Sequence, residues 1–112
     1  MARSRVDIQF KALAIITGGD VGANPSAEDA ADLDSYIDDE VEELNADGTI
    51  YIADPDELPN ELFLTFSKLV ANAAADEFGG KSDDNKAVML RNRLRVIARS
   101  TPGYGPQKVD YF

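Results

Sequence analysis

Residues 59–78 are apolar around most of a helical circumference, and this feature constrains the fold more than any other. The polar positions fall at spacings of 4, 3, 4 and 4, which align them in one narrow stripe of a helix. That stripe consists of Glu61, Thr65, Lys68, Asn72 and Asp76. A helix that is apolar on its remaining sides has to be surrounded by other elements. Residues 59–78 are therefore predicted to form the central helix of a bundle.

Three further helices are predicted around the central one, on the basis of apolar periodicity and of serines that can cap helix N-termini. They span residues 5–17, 26–45 and 83–100. The three capping serines are Ser4, Ser26 and Ser82. The predicted fold class is all-α, a small bundle of about four helices. The helices occupy one domain, residues 1–100.

Two segments fit a strand as well as, or better than, a helix. Val6, Ile8 and Phe10 alternate with polar residues, so the first predicted helix is also compatible with a strand. Residues 49–52 read TIYI and are β-branched and aromatic, which predicts a short extended strand. A single strand is not stable alone. We therefore expect residues 49–52 to pair with the N-terminal arm, the C-terminal arm or another chain.

Charge is strongly segregated along the 112 residues, whose net charge is −10. Residues 12–67 contain fifteen acids and no Lys or Arg, whereas residues 85–109 contain six basic residues and no acid. Two interpretations stay open: the two faces neutralise each other within one fold, or the acidic flank of one subunit meets the basic flank of the next. The second interpretation predicts an inter-subunit basic face of Lys86, Arg91, Arg93, Arg95 and Arg99. It also predicts an acidic face of Asp32, Asp38, Asp39, Glu42 and Glu43.

Residues 101–112 read TPGYGPQKVDYF and differ in character from the rest of the chain. Two prolines and two glycines prevent a helix, while three aromatic residues are atypical of a disordered tail. The segment is either a tail that frays or folds back, or an extended arm that docks into another protein by strand addition. In the second case the docking residues are Pro102, Tyr104, Val109, Tyr111 and Phe112.

The composition excludes several kinds of chemistry. Without cysteine there is no disulfide or thiolate metal site, and without histidine there is no Ser-His-Asp triad. No P-loop, nucleophile elbow or zincin motif occurs, and residues 45–57 fail the spacing of a calcium loop. The many carboxylates are typical of a solvated helix face. We predict that the protein is not an enzyme and that it has no catalytic residue, cofactor or metal.

Sequence motifs along the chain combine into a recognisable order. The first predicted helix closes on Gly18-Gly19 and is followed by NPSAEDAA at residues 24–31. An acidic helix then ends in ELNADG at residues 43–48, a Pro-led apolar helix runs into ADEFG at residues 75–79, and a basic helix ends in a Pro/Gly arm. Over most of residues 6–100 this order resembles the head-to-tail adaptor proteins of tailed bacteriophages and prophages, which are head-completion connectors that stabilise packaged DNA.

This resemblance implies a structural virion protein with no membrane association. Copies of a helical adaptor domain, residues 1–100, would form a homo-oligomeric, dodecameric ring beneath the portal protein. The ring would extend the DNA channel, and double-stranded DNA would pass through it without specific binding. Residues 101–112 would be the extended C-terminal docking arm that grips the portal, and tail, stopper or nozzle proteins would attach below. The expected location is the virion neck, after synthesis in the host cytoplasm.

A second function is compatible with the same acids. A small acidic regulatory protein, or a mimic of DNA, could present nine carboxylates between Glu28 and Glu43 to a basic groove on a partner. The aromatic arm discriminates between the two functions, because a mimic does not need Tyr104, Tyr111 and Phe112 after its fold ends.

Overall fold

A computed structural model of the chain describes residues 2–18 and 26–100, apart from the side chain of Ser100. The predicted all-α bundle is confirmed, because four helices make up most of the described chain. The helices are α1 (Arg5–Ile16), α2 (Ala27–Asp47), α3 (Asn60–Ala74) and α4 (Asp84–Ser100). Two short strands, β1 (Ala2–Arg3) and β2 (Leu58–Pro59), and two 3₁₀ turns, Pro55–Glu57 and Ala75–Phe78, complete the described elements.

Helix α3 lies at the centre, as its apolar circumference predicts. It contacts each of the other three helices, and Phe66 and Val70 are fully buried in the shared core. The exposed stripe of α3 is displaced from the predicted one, because Thr65 is buried while the neighbouring Leu64 is 47% exposed. The central position follows from the amount of apolar surface, since burying it is the main favourable contribution to folding.

Helix α1 begins at the capping box that its sequence predicts. The Ser4 hydroxyl accepts a hydrogen bond from the amide of Asp7, and the Asp7 carboxylate accepts one from the amide of Ser4. The helical interpretation of residues 5–17 is therefore correct, and the strand interpretation is wrong. The buried face of α1 carries Ile8 and Ala12, while Val6 and Phe10 remain exposed.

Helix α2 begins after Ser26, whose hydroxyl accepts a hydrogen bond from the Asp29 amide at 3.1 Å. It ends at Asp47, two residues later than predicted, and the capping residue Gly48 that follows adopts a φ of +77°. A positive φ is the conformation that glycine reaches at no steric cost, so this residue sets the end of the helix.

Residues 49–52 do not form the predicted strand. Within the described residues the one sheet is the antiparallel pair of β1 and β2, in which Ala2 is opposite Pro59 and Arg3 is opposite Leu58. Residues 49–52 instead lie against the core, with Ile50 and Ile52 buried. The apolar β-branched pattern therefore reflects burial rather than pairing with a second strand.

The Asn45 side chain supplies the partner that residues 49–52 require. Its amide nitrogen donates to the carbonyl oxygen of Ile52 at 3.0 Å, and its oxygen accepts from the Ile52 amide at 2.8 Å. One side chain on α2 thus makes the pair of hydrogen bonds that a neighbouring strand would make.

The connection from α3 to α4 is held by side chains at both of its ends. Asn72 exchanges two hydrogen bonds with the backbone of Asp83, and Asp76 accepts from the amide and the hydroxyl of Ser82. These hydrogen bonds hold the pKa of Asp76 below its usual value. The predicted cap Ser82 is wrong, because Asp83 accepts from the amides of Asn85 and Lys86 instead.

Candidate functional site

The predicted acidic face lies on α2, but its five residues are in different environments. Asp38 pairs with Arg5, and Glu43 pairs with Arg91. Asp32 lies beside Glu77, whereas Asp39 and Glu42 are exposed and make no ion pair with any described residue. The structure thus divides the acidic face into carboxylates used inside the subunit and carboxylates that remain available.

Arg5 links α1 to α2 and to the turn before β2, a role the sequence analysis missed. Its guanidinium lies 2.8 Å from the carboxylate of Asp34 and 2.6 Å from that of Asp38, both on α2. Its backbone amide donates to Asp56 at 3.0 Å in the turn before β2. Partial burial opposes the charged form, but the hydrogen bonds to the two α2 carboxylates outweigh it and raise the pKa of Arg5.

Arg91 is held within the subunit by two carboxylates of α2. Its guanidinium lies 3.3 Å from Glu40 and also pairs with Glu43, and 25% of its side chain is exposed. The residue was predicted to belong to the inter-subunit basic face. Its position instead favours, for this residue, the interpretation in which acidic and basic helices neutralise each other within one fold.

Glu40 is the buried member of this cluster, and the sequence analysis missed it. The residue is 8% exposed, and burial raises the pKa of its carboxyl although Arg91 acts in the opposite direction. The helical spacing could have predicted this burial, because Glu40 lies on the same face of α2 as the buried residues Leu33, Ile37 and Leu44. Because its side chain is acidic, Glu40 was not predicted to be buried, although its position faces the core.

The other members of the basic face differ in their availability. Arg95 donates to Asn92 at 3.0 Å and to the hydroxyl of Thr49 at 3.4 Å, so it is held close to the bundle. Lys86, Arg93 and Arg99 are exposed, and none forms an ion pair among the described residues. Of the five residues predicted for the basic face, three therefore remain available to contact another molecule.

Asp32, Tyr36 and Glu77 form a second polar contact between α2 and the end of α3. The Tyr36 hydroxyl donates to Glu77 at 2.8 Å, and this hydrogen bond raises the pKa of Tyr36. A hydrogen bond between the two carboxyl groups raises the pKa of Asp32. Asp32 thus lies beside a second acid of its own subunit.

Several grooves open on the described surface. The first, about 380 Å³, is lined by Tyr51, Asp54 and Leu62 among others. A second groove of about 350 Å³ lies beside Glu40 and Arg91, between α2, α3 and α4. A third groove, about 190 Å³, is lined by Lys68, Lys81 and Lys86 among others.

The described residues offer no metal site, since no cluster of acidic side chains is arranged to hold a cation there. In that part of the chain, no helix combines the length and apolar character that crossing a membrane requires. The predicted docking residues Pro102, Tyr104, Val109, Tyr111 and Phe112 lie outside the described residues.

Comparison of the chain with protein-family models, with curated proteins and with solved structures found no match.

Proposed function

We propose that the protein is a head-to-tail adaptor of a tailed bacteriophage, which forms a ring beneath the portal, extends the DNA channel and carries the tail. The observation that carries this proposal is the pairing pattern of its charges. Among the described residues, Asp39 and Glu42 on α2 are exposed without a cation, while Lys68 on α3 and Lys86 on α4 are exposed without an anion. Unpaired surfaces of opposite sign on one subunit suit contacts between subunits.

The net charge adds to the same argument. Each copy carries −10, so identical copies repel one another unless opposite charges meet at their contacts. An adaptor that must close into a ring therefore needs complementary patches on two different sides. The all-α fold, with α3 enclosed by the other helices, agrees with the helical adaptor domain that the resemblance implies.

In this proposal, attachment to the portal is made by residues 101–112. The segment follows directly after α4, and its aromatic residues can serve as anchors in a pocket of a partner. Many arms that act together give avidity, so each arm can bind weakly.

Deletion of residues 105–112 tests the proposal directly. The truncated protein should keep its helical content and melting temperature, because the described bundle ends at residue 100. Size-exclusion chromatography with light scattering should show co-assembly of the intact chain with portal and none for the truncated chain. A matched control, Gln107→Ala, keeps all aromatic anchors and should bind portal normally. Normal docking of the truncated chain would contradict the assignment of residues 101–112.

The net charge gives a second expectation for the channel. Each copy carries −10, and like charge repels phosphate, so DNA should pass the ring without binding tightly. Fluorescence anisotropy with duplex DNA should therefore show no tight, salt-dependent binding by the purified protein.

The second candidate function is an acidic regulator or DNA mimic, and the length of α2 is the observation that favours it. The helix has 21 residues and extends about 30 Å, with acids along its outer side. A mimic should form a stoichiometric complex with a basic partner and should not associate with itself. Light scattering of the purified chain separates the two functions.

A further inference from the structure

Three lysines from separate segments meet at one groove of the described surface. Lys68 comes from α3, Lys81 from the connection that follows it, and Lys86 from α4. Apolar residues, including Ile16 and Ala71, also line the groove, and none of the described residues that line it carries a carboxylate. We call this site the lysine groove.

The lysine groove is unusual for a chain of this composition. The chain has 21 acids and only 5 lysines, yet three of those lysines share one site and none of the three forms an ion pair within the described residues. Three like charges around one groove repel one another, and an anion from outside relieves that repulsion. The groove is thus suited to a partner that carries at least two negative charges.

The outer stripe of α2 has the complementary properties. It consists of the exposed residues Glu28, Ala31, Ser35, Asp39, Glu42 and Ala46, at spacings of 3, 4, 4, 3 and 4. Asp39 and Glu42 lie one turn apart and lack a cationic partner among the described residues. Ser35 and Ala46 are small, so a neighbouring surface can approach the helix closely.

We propose that the outer stripe of α2 docks into the lysine groove of a second copy of this chain, with Asp39 and Glu42 facing Lys68, Lys81 and Lys86. This inference rests on the proposed function and names the surfaces through which the ring forms. It differs from the predicted basic face, because Arg91 and Arg95 are held within the subunit.

The contact joins two different surfaces, so it is heterologous. Each copy in a pair still has one unoccupied lysine groove and one unoccupied outer stripe. Such a contact adds further copies until the rotation closes into a ring. A self-complementary dimer would have no such capacity to grow.

Sedimentation analysis at low and high salt tests the proposal. The wild-type chain should associate at low salt and dissociate at about 1 M salt, where charges are screened beyond roughly 3 Å. Lys68→Glu/Lys81→Glu should weaken the association at least about tenfold for each lysine that faces a carboxylate. The matched control Arg93→Glu/Arg99→Glu changes the net charge by the same amount and should associate as the wild type does.

Mixing two variants gives the most specific result. Asp39→Lys/Glu42→Lys should be monomeric alone, as should Lys68→Glu/Lys81→Glu. An equimolar mixture should associate again, because each reversed groove then meets a reversed outer stripe. Circular dichroism should show wild-type helicity for both, since all four side chains are exposed.

The proposal is overturned if the wild-type chain stays monomeric at low salt, if the groove variant associates normally, or if the mixture fails to associate. It is also overturned if reversal of the groove lysines removes binding of duplex DNA and leaves self-association unchanged, because the groove would then hold phosphate.

Portal binding is measured separately with the wild-type chain. Self-association without portal binding would reject the proposed function and keep this contact, whereas portal binding by a chain that never self-associates would reject the contact.

Discussion

At the scale of single residues, side chains that satisfy buried groups decide which charges remain on the surface. Glu40 and Arg91 are the clearest example. Arg91 forms an ion pair with Glu40, a residue that is only 8% exposed, and its charge is therefore not available on the basic face. The sequence predicted that acidic and basic helices could neutralise each other. It could not single out Arg91, since the choice among several arginines depends on where α4 lies against α2.

Replacement of Arg91 by methionine should destabilise the protein by about 2–4 kcal/mol at neutral pH, because it leaves Glu40 buried without a cation. Chemical denaturation measures the change. The double variant Arg91→Met/Glu40→Gln should recover part of the loss, since the buried carboxylate is then absent. Equal destabilisation by the single and the double variant would contradict the assigned pairing.

The pH dependence of stability has a defined sign at Glu40. Burial raises the pKa of its carboxyl, so the folded state binds a proton more readily than the unfolded state does. This contribution to stability is fully present below the unfolded value of 4.5 and is lost as the pH rises through the raised folded value. Glu40→Gln should therefore gain stability relative to wild type as the pH rises through the range above 4.5. Denaturation curves across that range measure the difference, and a constant difference would contradict it.

Asn45 is a second residue whose role was hidden in the sequence. It lies near the C-terminus of α2, where asparagine usually signals the end of a helix, yet its side chain binds both backbone groups of Ile52. Asn45→Ala should cost about 2–3 kcal/mol, because Ile52 is buried and two of its polar groups lose their partner. Asn45→Asp keeps one acceptor but places a carboxylate oxygen against the Ile52 carbonyl oxygen, so it should also destabilise the protein in thermal or chemical denaturation. An alanine variant as stable as wild type would contradict this role.

At the scale of elements, capping residues and periodicity predicted all four helices, and the errors lie at their ends. Ser4 and Ser26 cap as predicted, whereas Ser82 hydrogen-bonds to Asp76 and leaves the cap to Asp83. The predicted strand at residues 49–52 fails for a related reason. A β-branched apolar segment can be buried by a side-chain clamp as well as by a neighbouring strand, and the pattern of residues does not distinguish the two.

The end of α2 offers a test with an internal control. Gly48 has a φ of +77° and open space around the position of a Cβ atom, so Gly48→Ala should cost about 1 kcal/mol through backbone strain alone. Gly80 does not have a positive φ, and a Cβ atom there would make ordinary contact with Ala75 at 3.5 Å. Gly80→Ala should therefore be nearly neutral. Equal melting temperatures for the two variants would contradict the assigned cap.

At the scale of the whole molecule, charge segregation was visible in the sequence, but its consequence required the fold. Residues 12–67 and 85–109 differ in sign as stretches of sequence. Only the packing of α3 and α4 brings Lys68 and Lys81 beside Lys86, and Lys68 and Lys81 lie outside the basic stretch. The charge pattern along the sequence shows which sign dominates a segment. It does not show which side chains from distant segments line the same groove.

The central claim is that copies of this chain join into a ring that sits on a portal. Electron microscopy of the intact chain mixed with purified portal rings tests it most directly. The account predicts a closed ring of adaptor density coaxial with the portal channel, with the outer stripe of α2 of each copy against the lysine groove of the next. Portal rings without added density, or single copies bound without contact to one another, would contradict it.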